Sequence, residues 1–250
     1  MRDGGIAARA RAAAIHLGLS AAAVGLLAAA MLMFWYPPPF FMVDGGWQVL
    51  RLVVLVDIVV GPLLTFVVFN RAKPELRRDL GVIAAVQIAA FIYGAWVMHA
   101  YRPALIVHVE STFYPVHWRE LRGATRDLAS VEALAATSAR GPAYVMLDLP
   151  DPALRKRYLA EMAAGGPALS HRGDHLVAID AQNFGRLSAT PTDIDALARG
   201  DAGIAAELAR IHATHAAIRE RLVFVPLDAR YGIVMLVFDR ATQRVVDWMN

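Results

Sequence analysis

One acidic residue interrupts a long apolar stretch of this sequence. In the run 47–69, Asp57 is the only charged residue besides Arg51. An ionisable side chain inside a membrane span costs ~2.5–3.5 kcal/mol on insertion scales and usually has a partner. Arg51 lies six residues earlier, about 240° round an α-helix, so the two side chains do not share a face. Asp57 therefore pairs with another span or another protein, or it is a protonated or hydrogen-bonded packing residue.

A helix-breaking pair follows Asp57 by one helical turn. Gly61-Pro62 kinks a helix because proline has no N–H group and removes one backbone hydrogen bond. Inside lipid the freed carbonyl needs a local donor, and Thr65 is near enough in sequence to supply one. The kink is either tolerated or forms a groove for another helix. We take Asp57, Gly61 and Pro62 as candidate partner-binding residues within the membrane.

Other residues with catalytic or ligand chemistry form no recognisable pattern. His171 and His175 have the helical spacing of a metal pair, but Gly173 lies between them and Gly165-Gly166-Pro167 precedes them, which indicates a loop. The sequence contains no HExxH, GxSxG, P-loop or GxGxxG motif. It also has no cysteine, which excludes thiolate metal sites and cysteine nucleophiles. We predict no catalytic residue, metal or cofactor, and no enzymatic activity.

Two rival functions remain open on the sequence alone. An enzyme of envelope lipid or glycan chemistry would need clustered acids or histidines, and Asp44, His108 and Glu110 are candidates that nothing in the sequence links. A membrane-anchored sensor with a ligand-binding outer domain would need an internal signalling module, for which the cytoplasmic segments are short. The basic run Arg155-Lys156-Arg157 is interpreted as a solvated helix face that could approach lipid head groups.

The elements that carry these residues follow from the composition. Hydrophobic residues make up 57% of the 250-residue chain, and charged residues make up 19% against a norm of ~25%. The apolar excess is concentrated in the runs 12–36, 47–69 and 80–101. Each run exceeds the ~20 residues that cross the hydrocarbon core. The first ends in Phe34-Trp35-Tyr36, typical of an interfacial aromatic belt, and prolines then stop the helix. The sequence predicts three transmembrane helices.

The distribution of charge predicts the orientation of these spans. Residues 1–101 contain 8 Lys and Arg against 5 Asp and Glu, which accounts for the whole net charge of +3. Positive residues stay on the cytoplasmic side of a membrane. The N-terminal segment 1–11 is then cytoplasmic and residues 102–250 are periplasmic, and no nucleic-acid partner is indicated. The residues that determine this topology are Arg9, Arg11, Arg71, Lys73, Arg77 and Arg78.

The remaining ~150 residues are long enough for one folded domain. Strands are predicted at 104–110, 144–149, 222–227, 232–239 and 244–248. Helices are predicted at 125–138, 151–162, 192–197 and 202–221. The four residues 240–243 have the length of a hairpin loop. We expect a small α+β extracytoplasmic domain with a mainly antiparallel sheet.

Several motifs of the first 115 residues occur together in one known family. They are Phe34-Trp35-Tyr36-Pro37, the stretch VDIVVGPLLT at 56–65, ELRRDL at 75–80, and Arg102-Pro103. In this order they resemble the TfpX/TfpZ family of type IV pilin accessory proteins. The match covers about residues 10–115 well and continues more loosely to the terminal hairpin.

The resemblance implies an inner-membrane protein of type IV pilus biogenesis. Such a protein acts as a pilin-specific chaperone or assembly modulator through protein–protein contacts, without enzymatic activity or cofactor. Its expected partners are the lipid bilayer, a type IV pilin and other pilus assembly proteins. Our hypothesis is that the three spans hold the transmembrane helix of the pilin while residues 102–250 recognise its periplasmic head.

Overall fold

The chain divides into two compact units, Met1–Tyr101 and Arg102–Asn250, which we name the helical unit and the sheet unit. The computed structural model describes residues 3–70, 73–125, 127–188 and 192–250. Arg71, one of the predicted topology determinants, lies outside these residues.

The first span is a continuous helix that ends at the prolines. Helix α1 (Asp3–Ala30) continues as a π-helical segment (Met31–Trp35). The chain then leaves the helix at Tyr36, because a residue before proline is pushed out of the helical region. The Tyr36 hydroxyl donates to the backbone oxygen of Met98 at 3.2 Å. This bond ties the end of the first span to the end of the third.

The second and third spans follow a short connecting helix, α2 (Phe40–Val43). The second span consists of α3 (Gly46–Val54), a π-helical segment (Leu55–Val60) and α4 (Gly61–Val68). The third span is α5 (Leu76–Ala100).

The three spans are long and apolar enough to cross a bilayer, which confirms the predicted helices. Their side chains face outward to an unusual degree: only 6% of the most apolar stretch of α5 is buried within the protein. Surface of this kind is stable when lipid covers it. The three helices therefore suggest membrane anchoring.

Within its described residues, the sheet unit contains seven strands in the order β4-β3-β1-β2-β5-β6-β7. The strands are β1 (Pro103–Val109), β2 (Thr112–His117), β3 (Ala143–Leu147), β4 (Leu176–Ala178), β5 (Leu222–Ala229), β6 (Gly232–Asp239) and β7 (Arg244–Met249). The helices are α6 (Trp118–Ala124), α7 (Leu128–Ala135), α8 (Pro152–Ala163), α9 (Ile194–Gly200) and α10 (Ala202–Thr214).

The expectation of a mainly antiparallel sheet is wrong, because the sheet is mixed. β1 pairs with β3 and β2 pairs with β5 in parallel, while the other four neighbouring pairs are antiparallel. The β1–β2 hairpin places the end of β2 beside the start of β1. After α6 and α7, β3 enters from that same end and must therefore run parallel to β1.

Some predicted boundaries in the sheet unit are also wrong. The sequence patterns did not predict β2, which contains Pro115, a residue that weakens a strand pattern. The predicted helix 125–138 shortens to α7, whose start is capped by the Asp127 carboxylate accepting from Ser130 N–H at 3.1 Å. The predicted helix 202–221 ends as an α-helix at Thr214 and continues in a 3-10 segment, Ala216–Arg221.

Candidate partner-binding groove

Side chains from all three spans line a groove of about 560 Å³ in the helical unit. Its lining is mostly apolar, with a few polar groups. The residues that line it are Ala12, Ile15, His16, Leu19, Ser20 and Ala23 of α1, Asp57 and Thr65 of the second span, and Leu80, Ala84, Gln87, Ile88 and Phe91 of α5. The groove therefore brings one of the three candidate residues, Asp57, beside polar residues of the two other spans.

Asp57 lies in the π-helical segment of the second span. Its side chain is only 5% exposed, and its Oδ2 atom has no hydrogen-bond partner among the described residues. A π-helical turn inserted in an α-helix often marks a functional site, because the extra residue redirects a side chain. An unpaired buried oxygen costs about 1–3 kcal/mol, so the fold retains Asp57 at the expense of its own stability.

Gly61 provides the space that Gln87 occupies. A Cβ atom on Gly61 would lie 1.7 Å from Gln87 Nε2, so no larger residue fits without movement of the glutamine. Gln87 Nε2 donates to the backbone oxygen of Val56 at 3.5 Å, and that oxygen also accepts from Gly61 N–H. The Oε1 atom of Gln87 is buried and has no partner in the part of the chain that the structure describes.

Gly61 and Pro62 shape the groove but do not line it. The π-helical segment ends at Val60, immediately before these two residues, and both are buried. Thr65, which we expected to satisfy the carbonyl freed by Pro62, has another contact. Its Oγ1 atom forms a hydrogen bond with His16 Nδ1 of α1 at 2.6 Å. This pair joins the first and second spans inside the apolar region.

The sequence reasoning missed His16 and Gln87 as members of this cluster. Both are lone polar side chains in long apolar runs, and such side chains usually have a polar partner. That signal was present, but it did not indicate which residue each one meets. Two residues that line the groove, Asp57 and Gln87, each carry a buried acceptor atom, Oδ2 and Oε1, without a partner among the described residues. A hydrogen-bond donor on an apolar surface would be complementary to them.

Three of the predicted topology determinants lie together at one end of the helical unit. Arg9 of α1, Lys73 and Arg78 line one cavity of about 470 Å³. Arg9 Nε donates to the backbone oxygen of Phe69 at 2.8 Å, and Lys73 forms an ion pair with Asp79. The two remaining described members, Arg11 and Arg77, are exposed.

The spaced histidines of the sheet unit lie in two separate 3-10 turns, Leu169–His171 and Gly173–His175. His175 Nε2 shares a hydrogen bond with the Tyr158 hydroxyl at 3.1 Å. His171 Nε2 lies 3.3 Å from Glu120 Oε2, which also lies 2.8 Å from His117 Nδ1. Each histidine therefore has its own partner in the sheet unit.

Glu120 contacts both His171 and His117. Burial raises the pKa of Glu120, but hydrogen bonds from His117 and His171 outweigh this effect and hold the pKa well below its ordinary value. Glu120 Oε1 also accepts from Arg230 at 3.3 Å. The carboxylate thus stays ionised and joins three parts of the sheet unit.

Comparison with known proteins locates the similarity in part of the chain. The family profile "Fimbrial assembly protein FimB" matches residues 5–45, within the helical unit. Two relatives from Dichelobacter nodosus are each 35% identical over 100 residues, 39% of this chain. The match covers 39% of the fimbrial assembly protein of serogroup I and 76% of that of serogroups C1 and C2.

A third relative, the fimbrial assembly protein of serogroup E1 from the same organism, is 34% identical over 100 residues and is covered to 39% of its length. No solved structure matches this chain. The similarity extends over most of the serogroup C1 and C2 relative at an identity well above that of unrelated chains. The chain belongs to the fimbrial assembly protein family.

Proposed function

We propose that this protein is an inner-membrane accessory protein of type IV pilus assembly, acting as a pilin-specific chaperone or assembly modulator. Its helical unit holds the transmembrane helix of a pilin, and its sheet unit recognises the pilin head. The observation that carries the proposal is the groove with two buried, unpaired acceptor atoms in a chain of the fimbrial assembly family. The resemblance to the TfpX/TfpZ family supports the accessory role.

The shape and composition of the groove suit a helix. Small side chains at Ala12, Ala23 and Ala84 line it, and small residues let two helices approach closely in lipid. Larger apolar residues of the lining, such as Leu19 and Ile88, are exposed in the single chain. A pilin helix in the groove would cover these side chains with protein instead of lipid.

The polar groups of the groove would make this contact selective. Lipid tails offer no donor to Asp57 Oδ2 or Gln87 Oε1, whereas a helix with a suitably placed donor would satisfy both acceptors. An apolar helix without a donor would leave them unpaired. The groove is therefore expected to prefer one class of transmembrane helix over the many apolar helices of the membrane.

The proposed orientation places the N-terminus in the cytoplasm and the sheet unit in the periplasm. It is supported by the basic residues Arg9, Lys73 and Arg78, which lie around one cavity at one end of the helical unit. In this orientation the sheet unit is on the same side of the membrane as the head of a pilin. Two exposed apolar residues at the β5–β6 turn, Tyr231 and Ile233, are suitable for a contact with that head.

Photo-crosslinking in cells that produce the pilin tests the proposal. Ile88 lines the groove and is 59% exposed, whereas Val86 on the same helix is 63% exposed and does not line it. A photoreactive residue at position 88 should form an adduct with the pilin, and the same residue at position 86 should not. Equal adducts at both positions, or none at either, would overturn the groove assignment.

A genetic test addresses the function itself. Deletion of the gene should reduce surface pili and twitching, and the wild-type gene should restore both. Unchanged pili in the deletion strain would reject an accessory role. In that case the rival functions, a sensor or an envelope enzyme, would have to be tested instead.

A further inference from the structure

The sheet unit contains a partly open cavity at the ends of β1 and β3. This cavity has a volume of about 230 Å³. It is independent of the groove and of the function proposed for it. The side chains that give the cavity its chemistry are His108, Glu110, Leu147, Leu149, Arg155 and Arg186.

His108, which lines this cavity, carries an unsatisfied polar atom. Its side chain is 4% exposed, and its buried Nε2 atom has no hydrogen-bond partner within the described ranges. The ring packs against Phe113 with 5.0 Å between ring centroids. Burial, and then the positive charge of Arg186, lower the pKa of His108 to about 4, so the imidazole is neutral at physiological pH. A neutral imidazole with its proton on Nε2 can donate one hydrogen bond.

The two arginines of the cavity already hold carboxylates. Arg155 forms an ion pair with Glu110, and Arg186 Nη1 donates to Asp148 Oδ1 at 2.9 Å. Arg186 Nη2 also donates to the backbone oxygen of Leu147 at 3.1 Å, which fixes its orientation. Both guanidinium groups are thus presented in the geometry that carboxylates accept.

Glu110 is the replaceable member of this arrangement. Its side chain is 67% exposed, and it lies in the β1–β2 turn with a φ of 58°. An exposed ion pair contributes little to stability, typically below ~1 kcal/mol. A ligand can therefore displace the Glu110 carboxylate from Arg155 at little cost to the fold.

The charges select the class of ligand. Two arginines face the carboxylates of Glu110 and Asp148, and the imidazole is neutral, so the site is balanced. A single carboxylate that replaces Glu110 at Arg155 preserves this balance at the arginines. A phosphate dianion would add a negative charge without a partner. The aliphatic side chains of Leu147 and Leu149 provide an apolar wall for a short hydrocarbon stem.

We propose that this cavity binds a carboxylate group on a short aliphatic stem. The carboxylate replaces Glu110 at Arg155, contacts Arg186 and accepts a hydrogen bond from His108 Nε2–H. The same chemistry is present in a free organic acid and in the chain-terminal carboxylate of a peptide. These two sources differ in the group at the far end of the stem, and binding measurements distinguish them.

The test uses the full-length protein in nanodiscs, with histidine ring signals recorded by NMR. The probes are butyrate, a tripeptide with a free α-carboxylate, the same tripeptide amidated, and inorganic phosphate. Butyrate or the free-carboxylate tripeptide should shift the His108 signal, while the amidated tripeptide and phosphate should not. Binding of butyrate alone identifies a free acid as the source, and binding of the tripeptide alone identifies a peptide terminus.

Four variants make the test specific. Arg155→Gln and Arg186→Gln should each weaken binding about tenfold or more, because each removes a charge-assisted hydrogen bond. Glu110→Gln should tighten binding by roughly threefold to tenfold, because it removes the internal competitor. The control, Arg157→Gln, changes an exposed arginine of α8 that lies near Glu161 and should leave binding unchanged.

Tighter binding by Glu110→Gln cannot result from misfolding, so this variant keeps the test valid if an arginine variant unfolds. The proposal is overturned by an absence of carboxylate binding at millimolar concentration. It is also overturned by binding that survives both arginine substitutions, by phosphate binding as tightly as butyrate, or by weaker binding in Glu110→Gln.

Discussion

The helical unit and the sheet unit each contain a buried polar atom without a partner among the described residues, but the surroundings differ. Asp57 Oδ2 and Gln87 Oε1 belong to residues that line an apolar groove, and both can accept a hydrogen bond but have no donor among the described residues. His108 Nε2 lies at a small cavity where two arginines are already matched by two carboxylates. An orphan polar atom alone therefore does not define a ligand. The groove requires a donor on an apolar body, whereas the cavity suits a single negative charge.

The largest expected effect concerns Asp57 and separates stability from function. Asp57→Leu removes an unpaired buried oxygen, so the helical unit should unfold at the same or a higher temperature. Surface pili should nevertheless be lost, because the groove no longer offers its acceptor. Thermal unfolding in nanodiscs and counts of surface pili measure the two effects.

Asp57→Asn, which keeps one acceptor oxygen, is the matched control and should retain part of the pili. If Asp57→Leu lowers the unfolding temperature while pili persist, Asp57 is a structural packing residue. The groove would then be an ordinary packed interface between the spans and not a binding site.

The second prediction concerns the close approach of Gly61 and Gln87. Gly61→Ala should destabilise the protein by about 1–3 kcal/mol, because the new Cβ would lie 1.7 Å from Gln87 Nε2. Gln87→Ala in the same chain should restore most of the lost free energy of unfolding. A full double-mutant cycle in nanodiscs measures this coupling.

Gly81→Ala is the control, because a Cβ on Gly81 meets nothing within 4 Å. In a helix this change should be neutral or stabilising by ~0.5–1 kcal/mol. Equal losses at positions 61 and 81 would mean that the contact with Gln87 does not determine the cost.

The third prediction uses the pH dependence of His108. Its pKa is lowered from the ordinary 6.5 to about 4. At a pH between these two values, the histidine of the unfolded chain binds a proton that the folded protein does not bind. Stability should therefore be complete above pH 6.5 and should fall as the pH drops towards 4. The protection factors of β1 amides in the full-length protein, which are exchange rates corrected for the intrinsic effect of pH, should fall over this window.

His108→Phe removes the titrating group while keeping a ring against Phe113. The difference in β1 exchange between wild type and this variant isolates the histidine from the carboxylates that titrate in both. If β1 exchange depends on pH to the same extent in both proteins, His108 is not a buried neutral group.

The smallest expected effect concerns Glu120, a half-buried acid whose contacts are satisfied. Its pKa is lowered, so its contribution to stability is present above the ordinary value of 4.5 and is lost as the pH falls below it. Glu120→Gln should cost only ~1 kcal/mol, because the side chain is about a third exposed and solvent screens its ion pairs. Denaturant unfolding at pH 7 and pH 4 should show a difference between wild type and variant that is full at pH 7 and smaller, but still present, at pH 4.

Glu132→Gln, a change of an exposed acid in α7, serves as the control and should have no effect at either pH. A loss at pH 7 as large as that of Gly61→Ala would show that solvent does not screen the ion pairs of Glu120.

Local patterns predicted the helices of the helical unit better than the strands of the sheet unit. Each span is a single run of apolar residues, and its own hydrogen bonds complete its backbone, so the run alone indicates the helix. Strand β2 cannot complete its own backbone hydrogen bonds. It contains Pro115 and is held by pairing to β1 and β5. Whether two strands pair in parallel depends on the end of the sheet from which the chain enters it again, and no local sequence pattern indicates that end.

The same division applies to the sites. Asp57 was predicted as a candidate because a charged residue in an apolar run is costly wherever the helix lies. Its neighbours in the groove were not, since His16 and Gln87 come from runs some 40 and 30 residues away and their contacts depend on helix rotation. Glu110, His108 and Arg155 were noted separately, and only the fold brings them to one cavity.

The sequence alone therefore determined that three apolar helices precede a charge-balanced domain and that Asp57 is a candidate for partner binding, because hydropathy and helix propensity act over short stretches of chain. Only the tertiary structure decided that Gly61 makes room for Gln87, that Thr65 bonds to His16, and that His108 faces two arginines. Those contacts join residues distant in sequence. Their geometry depends on how the helices and strands pack against one another.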